Sequence, residues 1–118
     1  MRILFCILLL GGLQIAGAQD CDRHLEDFQK HMQEGEWLKA GKAAAREVNC
    51  AREHYDSTDL RYILSYVHLG EAYVAMEMPA EARDYLGIAY NLLLPFYQVH
   101  PQHLAEVCQL YGRCETWL

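Results

Sequence analysis

The stretch YVHLGEAY, residues 66–73, decides the fold of this chain. Its large apolar residues recur at spacings of three, four and seven positions, which places them on one face of a helix. Gly70 stands among them as the small residue of that face. A later segment carries Ala82, Leu86 and Ala89 at helical spacing, with small residues on either side of a large one. Small residues that face large ones allow a close approach, so the sequence predicts two tightly packed helices.

Helical periodicity continues through the rest of the chain, and no useful strand-like alternation interrupts it. Short turn-forming segments divide it into five helices, so the fold class is all-α. Apolar stripes mark the first helix (Leu25, Phe28, Met32) and the second (Trp37, Ala40, Ala44, Val48). The third helix is expected from Leu60 to Met76, the fourth from Pro79 to Tyr97, and the fifth from Pro101 onward.

The third and fourth helices together resemble the tetratricopeptide (TPR) repeat, a helix–turn–helix of about 34 residues. The motif has large, Leu, Gly and Tyr positions on its first helix, then Ala, a large residue, Ala and a closing Pro on its second. The first set corresponds to Tyr66, Leu69, Gly70 and Tyr73. The second set corresponds to Ala82, Leu86 and Ala89, and Pro95 comes one residue later than the motif asks.

An internal period supports this resemblance. Ala40 and Ala82 stand 42 positions apart, as do Tyr55 and Tyr97, and Gly70 and Gly112. A period of 42 is similar to the longer TPR variant of kinesin light chains, whose repeats often open with His-Pro, as His100-Pro101 does. The resemblance covers residues 36–113. In the first helix, Asp27 and His31 stand where Leu and Tyr would be, as expected for an atypical terminal repeat.

Residues 1–18 have the pattern of a secretory signal peptide. Arg2 gives a positive start, an apolar run follows from Ile3 to Ile15, and Ala16-Gly17-Ala18 is a small-x-small cleavage site. The predicted mature chain, residues 19–118, is one TPR-like helical repeat domain, exported to the periplasm or secreted. A membrane anchor and a lipoprotein anchored through Cys21 are the alternatives for this segment.

The formal net charge is −6, and it becomes one unit more negative when Arg2 is removed. An acidic chain repels nucleic-acid phosphates, so nucleic acid is an unfavourable partner. The same repulsion argues against an anionic membrane surface after signal cleavage.

Four cysteines remain in the mature chain, which in an exported protein indicates disulfides. Cys21 and Cys50 lie at nearly equal distances before and after the turn at Gly35, so an antiparallel hairpin would bring them level. A Cys21–Cys50 bridge is therefore predicted. Cys108 and Cys114 cannot bridge within a regular helix. A helix break at Gly112 would let them pair, and free or intermolecular thiols are the alternative.

No motif for catalysis, for a cofactor or for a metal is recognised, so the chain is expected not to be an enzyme. His100, His103 and Cys108 do not have the converging spacing of a zinc site. His24 and His31, with Glu34 near, are expected to be solvated surface. His68 is expected on the outer face of its helix.

What the TPR resemblance implies about function is a binding groove. In TPR arrays the concave wall comes mainly from the first helix of each repeat. The corresponding positions here are Leu64, Val67, Glu71, Val74 and Ala75 on the third helix, and Glu106, Gln109 and Arg113 on the fifth. Such a wall would suit an apolar or basic segment of a protein or peptide partner. The alternative for the apolar residues is that they pack inside the domain. The alternative function is that of a self-associating structural module.

Overall fold

Five α-helices form the part of the chain that the computed structural model describes, residues 20–117. Within that range no residue lies in a strand, which confirms the all-α prediction. The predicted signal peptide, residues 1–18, lies outside the described residues. The helices are α1 (residues 20–33), α2 (Trp37–His54), α3 (Leu60–Ala75), α4 (Pro79–Leu93) and α5 (Pro101–Trp117), with a 3₁₀ turn at Leu94–Phe96 after α4.

The helix boundaries follow from local chemistry. Asp59 caps α3 by accepting a hydrogen bond from the Arg61 backbone N–H at 2.9 Å. Pro79 occupies the start of α4, where its missing N–H is harmless. The prediction that the fourth helix reaches Tyr97 is wrong, because α4 ends at Leu93. Pro95 has no N–H to continue the helical ladder, so the chain tightens into the 3₁₀ turn.

The turn after α1 and the turn after α3 have the same backbone structure. After α1, the Glu36 N–H donates to the His31 carbonyl at 2.9 Å, and Gly35 has a φ of 71°. After α3, the Met78 N–H donates to the Tyr73 carbonyl at 2.9 Å, and Glu77 has a φ of 58°. Both are Schellman motifs, which end a helix with one residue in the left-handed conformation. Corresponding residues of the two turns are 42 positions apart, the period found in the sequence.

The contact between α3 and α4 depends on Gly70. A β-carbon built at this position would lie 2.6 Å from Leu86 Cγ, well inside van der Waals contact. Leu86 is fully buried, and so are the small residues Ala82 and Ala89 on the same face of α4. The close approach that the sequence predicted for these two helices is confirmed.

Small residues also bring α2 close to α3. Ala40, Ala43 and Ala44 have no exposed surface. Gly41 is buried as well, and a β-carbon there would lie 3.0 Å from the Met76 methyl group. Because α3 packs against α2 on one side and α4 on the other, it is the central helix of the fold. Helix α5 packs against α4 and contacts α3 only marginally.

A buried polar contact links the first three helices. Glu47 of α2 is 1% exposed, and its carboxylate lies 2.9 Å from Nδ1 of His68 on α3. The His68 ring stacks on Phe28 of α1, with ring centroids 4.9 Å apart. The prediction that His68 lies on the outer face is therefore wrong: a buried carboxylate needs a partner, and His68 turns inward to supply it.

The cysteines differ in their state. Cys21 and Cys50 form a disulfide with their Cα atoms 5.4 Å apart, as the hairpin argument predicts. Cys108 and Cys114 are free thiols, the first exposed and the second buried. The pairing of these two that a break at Gly112 would allow is not present. Helix α5 continues through Gly112, and six residues along a helix place the two side chains about 120° apart.

Candidate functional site

The apolar part of the predicted groove lies largely inside the domain. Val67 is 1% exposed and Val74 is 4% exposed, and both belong to the packed core. Leu64 is half-buried against the same core. Val67 and Val74 therefore do not line a binding wall, which is the outcome that the packing alternative describes. Val67 lies three positions before Gly70 and Val74 lies four positions after it, so both are on the side of α3 that includes this close helix contact.

The polar positions of the predicted groove are more exposed than its apolar positions. Glu71 of α3 is half-buried, whereas Glu106, Gln109 and Arg113 of α5 are exposed. Burial raises the pKa of the Glu71 carboxyl, His68 acts in the opposite direction, and the carboxylate of Glu106 raises it further. Two carboxylates from neighbouring helices thus share one small region of the surface.

Glu71 has no salt bridge to a lysine or arginine in the part of the chain that the structure describes. A partly desolvated carboxylate without a lysine or arginine partner is unfavourable by itself. A lysine or arginine from another molecule would offset that cost and the repulsion from Glu106. The region defined by Glu71 and Glu106, here called the acidic face, can therefore bind a cationic group.

A second concave feature lies between α4 and α5. This α4–α5 cleft has a volume of about 540 Å³ and is lined by Gly87, Tyr90, Asn91, Cys108, Tyr111 and Gly112. Open space surrounds both glycines, since a β-carbon at either would meet nothing within 4 Å. Both glycines line the cleft without contributing a side chain to it.

One aromatic wall of the cleft is fixed in place by Arg83 of α4. Its Nε donates to the Tyr111 hydroxyl at 3.2 Å and lies 2.9 Å from a Glu115 carboxylate oxygen. The guanidinium also lies over the Tyr111 ring, 5.9 Å from its centroid. Tyr111 is thus held by both a hydrogen bond and a cation–π contact.

Apolar side chains are exposed near the cleft and beyond it. They lie on α4 and on the segment that leads to α5, and they are Ile88, Tyr90, Leu94, Tyr97 and Val99. Val99 is the most exposed of these side chains, at 69%.

The cleft was not predicted from the sequence, which assigned function to α3 and α5 alone. The available signal was the pair Gly87 and Gly112, one on each of two sequential helices, with a tyrosine near each. The sequence analysis considers Gly112 as a helix break, but in the structure it lies inside α5 and lines the cleft.

Comparison with known proteins gives no further guide to the site. No family model, no curated protein and no solved structure matches this chain. Among the described residues, no helix combines the length and the apolar composition needed to cross a bilayer.

Proposed function

We propose that this chain is an exported, non-catalytic, TPR-like scaffold that binds a basic segment of another protein or peptide at its acidic face. Glu71 carries the proposal, because it is a half-buried carboxylate beside a second carboxylate and makes no salt bridge to a lysine or arginine among the described residues. Charge complementarity fixes the chemistry of the occupant as a lysine or arginine side chain.

The composition of the chain agrees with a basic partner. The formal net charge of −6 favours encounter with positively charged polypeptides and disfavours acidic ones. From Leu64 onward the chain contains two arginines, Arg83 and Arg113, and no lysine. Arg83 is already engaged by Glu115 and Tyr111, so it does not neutralise the acidic face.

Export is part of the same proposal. The Cys21–Cys50 disulfide is compatible with an oxidising compartment such as the periplasm or the extracellular space. The equal backbone structure of the turns at Gly35 and Glu77 supports a repeated helical hairpin, the unit on which TPR scaffolds are built. The signal-like pattern of residues 1–18 supports the same compartment.

A pair of labelled peptides tests the binding proposal. One peptide alternates lysine and leucine, and the other has glutamate in place of each lysine; fluorescence anisotropy measures their affinity for the full chain. Tighter binding of the basic peptide is expected, with weakening by Glu71→Lys and a smaller effect of Glu71→Gln. Helical circular dichroism should stay unchanged in both variants.

The matched control is Glu53→Gln, which removes an exposed carboxylate at the end of α2. It changes the net charge as Glu71→Gln does, so it reports the general electrostatic effect. If both glutamine variants weaken the basic peptide equally, binding follows net charge alone and the acidic face is not the site.

Self-association is the second candidate function, and the exposed apolar residues near the α4–α5 cleft favour it. Two copies that meet there would cover Ile88, Leu94 and Val99. Size-exclusion chromatography with light scattering distinguishes the candidates. A monomer argues for a different protein as partner, whereas a dimer that Val99→Asp dissociates argues for self-association.

A further inference from the structure

Three metal-ligating side chains meet at the turn between α1 and α2. One nitrogen of His31 and one carboxylate oxygen each of Glu34 and Glu36 all lie within 4.8 Å of one another. His31 and Glu36 are half-buried, and Glu34 is exposed. One imidazole and two carboxylates form a mixed nitrogen and oxygen donor set.

The backbone of the turn is what brings these groups together. Five residues along a regular helix, His31 and Glu36 would point about 140° apart. The helix instead ends at residue 33, and Gly35 turns the chain in the left-handed conformation. The Glu36 N–H then donates to the His31 carbonyl at 2.9 Å, which places Glu36 over His31. This is why the sequence pattern indicated only solvated surface here.

The donor set is not needed to form the turn. The corresponding turn after α3 makes the same backbone hydrogen bonds with Tyr73, Met76 and Met78 at the equivalent positions. None of these three is a usual ligand for a hard or borderline divalent ion. The His-Glu-Glu combination is therefore an addition to a turn that folds without it.

The distance between His31 and Glu36 fits two ligands of a tetrahedral metal better than a strong hydrogen bond. His31 Nδ1 and Glu36 Oε1 lie 3.4 Å apart, too long for a strong hydrogen bond. With zinc–ligand bonds of about 2.0–2.2 Å, two ligands of a tetrahedral ion stand about 3.3–3.6 Å apart. The other Glu36 oxygen, Oε2, is held by Lys39 at 2.8 Å, which leaves Oε1 directed toward His31.

The electrostatic setting favours a cation. Glu34 lies just beyond the carboxyl end of α1, where the helix dipole contributes a partial negative charge, and Glu36 is the N-cap of α2. Lys39 is the only lysine or arginine in a salt bridge with this cluster among the described residues, and it occupies one oxygen of four. A cation between the donors would neutralise the rest.

We propose that His31, Glu34 and Glu36 bind one divalent ion of the zinc class, with His31 donating through Nδ1 and water completing the tetrahedron. Three protein ligands with an imidazole suit zinc and its neighbours in the first transition series. Calcium, which takes six to eight oxygen ligands, and magnesium, which keeps an octahedral shell, fit poorly. The bound ion would hold the end of α1 to the start of α2.

Isothermal titration calorimetry of the full chain with zinc chloride, without a histidine tag, tests the site. One-to-one binding is expected, and His31→Tyr, which installs the residue of the equivalent turn, should weaken it about tenfold or more. Glu36→Gln should weaken it similarly. Zinc should raise the melting temperature of the wild-type chain and not that of His31→Tyr.

Two controls keep the result specific. Cys108→Ser removes the exposed thiol, and His103→Ala removes a histidine of α5; both should bind zinc as the wild type does. Absence of saturable one-to-one binding would overturn the proposal. Binding that survives both His31→Tyr and Glu36→Gln, or that disappears with Cys108→Ser, would overturn it as well. Circular dichroism shows whether each variant is folded. If either His31→Tyr or Glu36→Gln does not fold, the zinc affinity of the other variant tests the site.

Discussion

Gly70 and Leu86 are in direct contact across the α3–α4 interface, with no room for a methyl group between them. The position that a β-carbon would take at Gly70 is 2.6 Å from both Cγ and Cδ2 of Leu86. Leu86 is fully buried and cannot move away cheaply. The glycine therefore sets the distance between the two helices.

Gly70→Ala should destabilise the fold, although alanine normally favours a helix over glycine. Overpacking of a core typically costs about 1–3 kcal/mol. For a domain of this size, each kcal/mol corresponds to a fall of about 4–8 °C in melting temperature. Gly70→Leu should have a larger effect. Thermal unfolding followed by circular dichroism measures both.

Gly87→Ala is the control, because a β-carbon there meets nothing within 4 Å. In the interior of α4 this change should stabilise the fold by about 0.5–1 kcal/mol. Shifts of the same sign in Gly70→Ala and Gly87→Ala would contradict the packing described for α3 and α4.

Glu77→Gly should stabilise the fold. Glu77 has a φ of 58°, and the left-handed conformation costs a residue with a side chain about 1–2 kcal/mol. Glycine removes this cost but loses more entropy on folding, so a net gain of about 0.5–1 kcal/mol is expected. The opposite change, Gly35→Ala in the corresponding turn, should destabilise the fold. A melting temperature that falls in Glu77→Gly would mean that the side chain makes a contact worth more than the strain.

Glu71→Gln should raise the melting temperature more at pH 7 than at pH 4. The pKa of Glu71 is raised in the folded chain, mainly by burial, so the folded state holds this proton more tightly than the unfolded state. Stability from this group is thus gained as the pH falls through the raised pKa, and at neutral pH its charge is destabilising. Glutamine removes the charge, and a gain of about 1–3 °C is expected at pH 7.

The measurement is the difference in melting temperature between Glu71→Gln and wild type at each pH. Glu53→Gln provides the reference for a carboxylate outside the acidic face. An equal difference at both pH values for Glu71→Gln would show that burial and Glu106 do not act on this carboxyl as described.

Reduction of the Cys21–Cys50 disulfide should lower stability by about 3–4 kcal/mol, as the chain-entropy relation gives for a separation of 29 residues. Cys21→Ser with Cys50→Ser should match the reduced protein. Peptide mapping without reduction should recover the Cys21 peptide joined to that of Cys50. A Cys21 peptide joined to Cys108 or Cys114 would contradict the structure.

The free thiols should differ in reactivity. Burial raises the pKa of the Cys114 thiol, which reduces its thiolate at neutral pH and slows its reaction with maleimide. Cys108 is exposed in the α4–α5 cleft and should be modified first. Mass spectrometry of briefly treated protein should show one label, on the Cys108 peptide. Equal labelling of both thiols would mean that α5 does not stay packed on α4.

The parts of the fold that the sequence predicted were those set by local rules. The face containing Tyr66, Leu69 and Gly70, the cap at Asp59 and the start at Pro79 all depend on spacing or on one residue's backbone chemistry. The Cys21–Cys50 bridge could be predicted because the two cysteines stand at nearly equal distances from the turn at Gly35. Each of these can be read from neighbouring residues without knowledge of what packs around them.

What the sequence could not give depends on contacts between distant segments. His68 turns inward because Glu47, far away in the chain, is buried beside it. Glu36 joins His31 only through the reversal at Gly35. In each case the sequence shows the chemical type of the residue but not which distant residue it contacts.

The Cys21–Cys50 bond ties down one end of the row of helices and leaves the other end untied. At the untied end, α5 rests on α4 and hardly touches α3, and its described buried side chains are Val107 and Cys114. Such a helix opens at a lower free energy than the rest of the domain. A protease acting on the folded protein would therefore cut first between α4 and α5. It would leave behind a four-helix piece, still closed by its disulfide, with the edge of α4 newly uncovered.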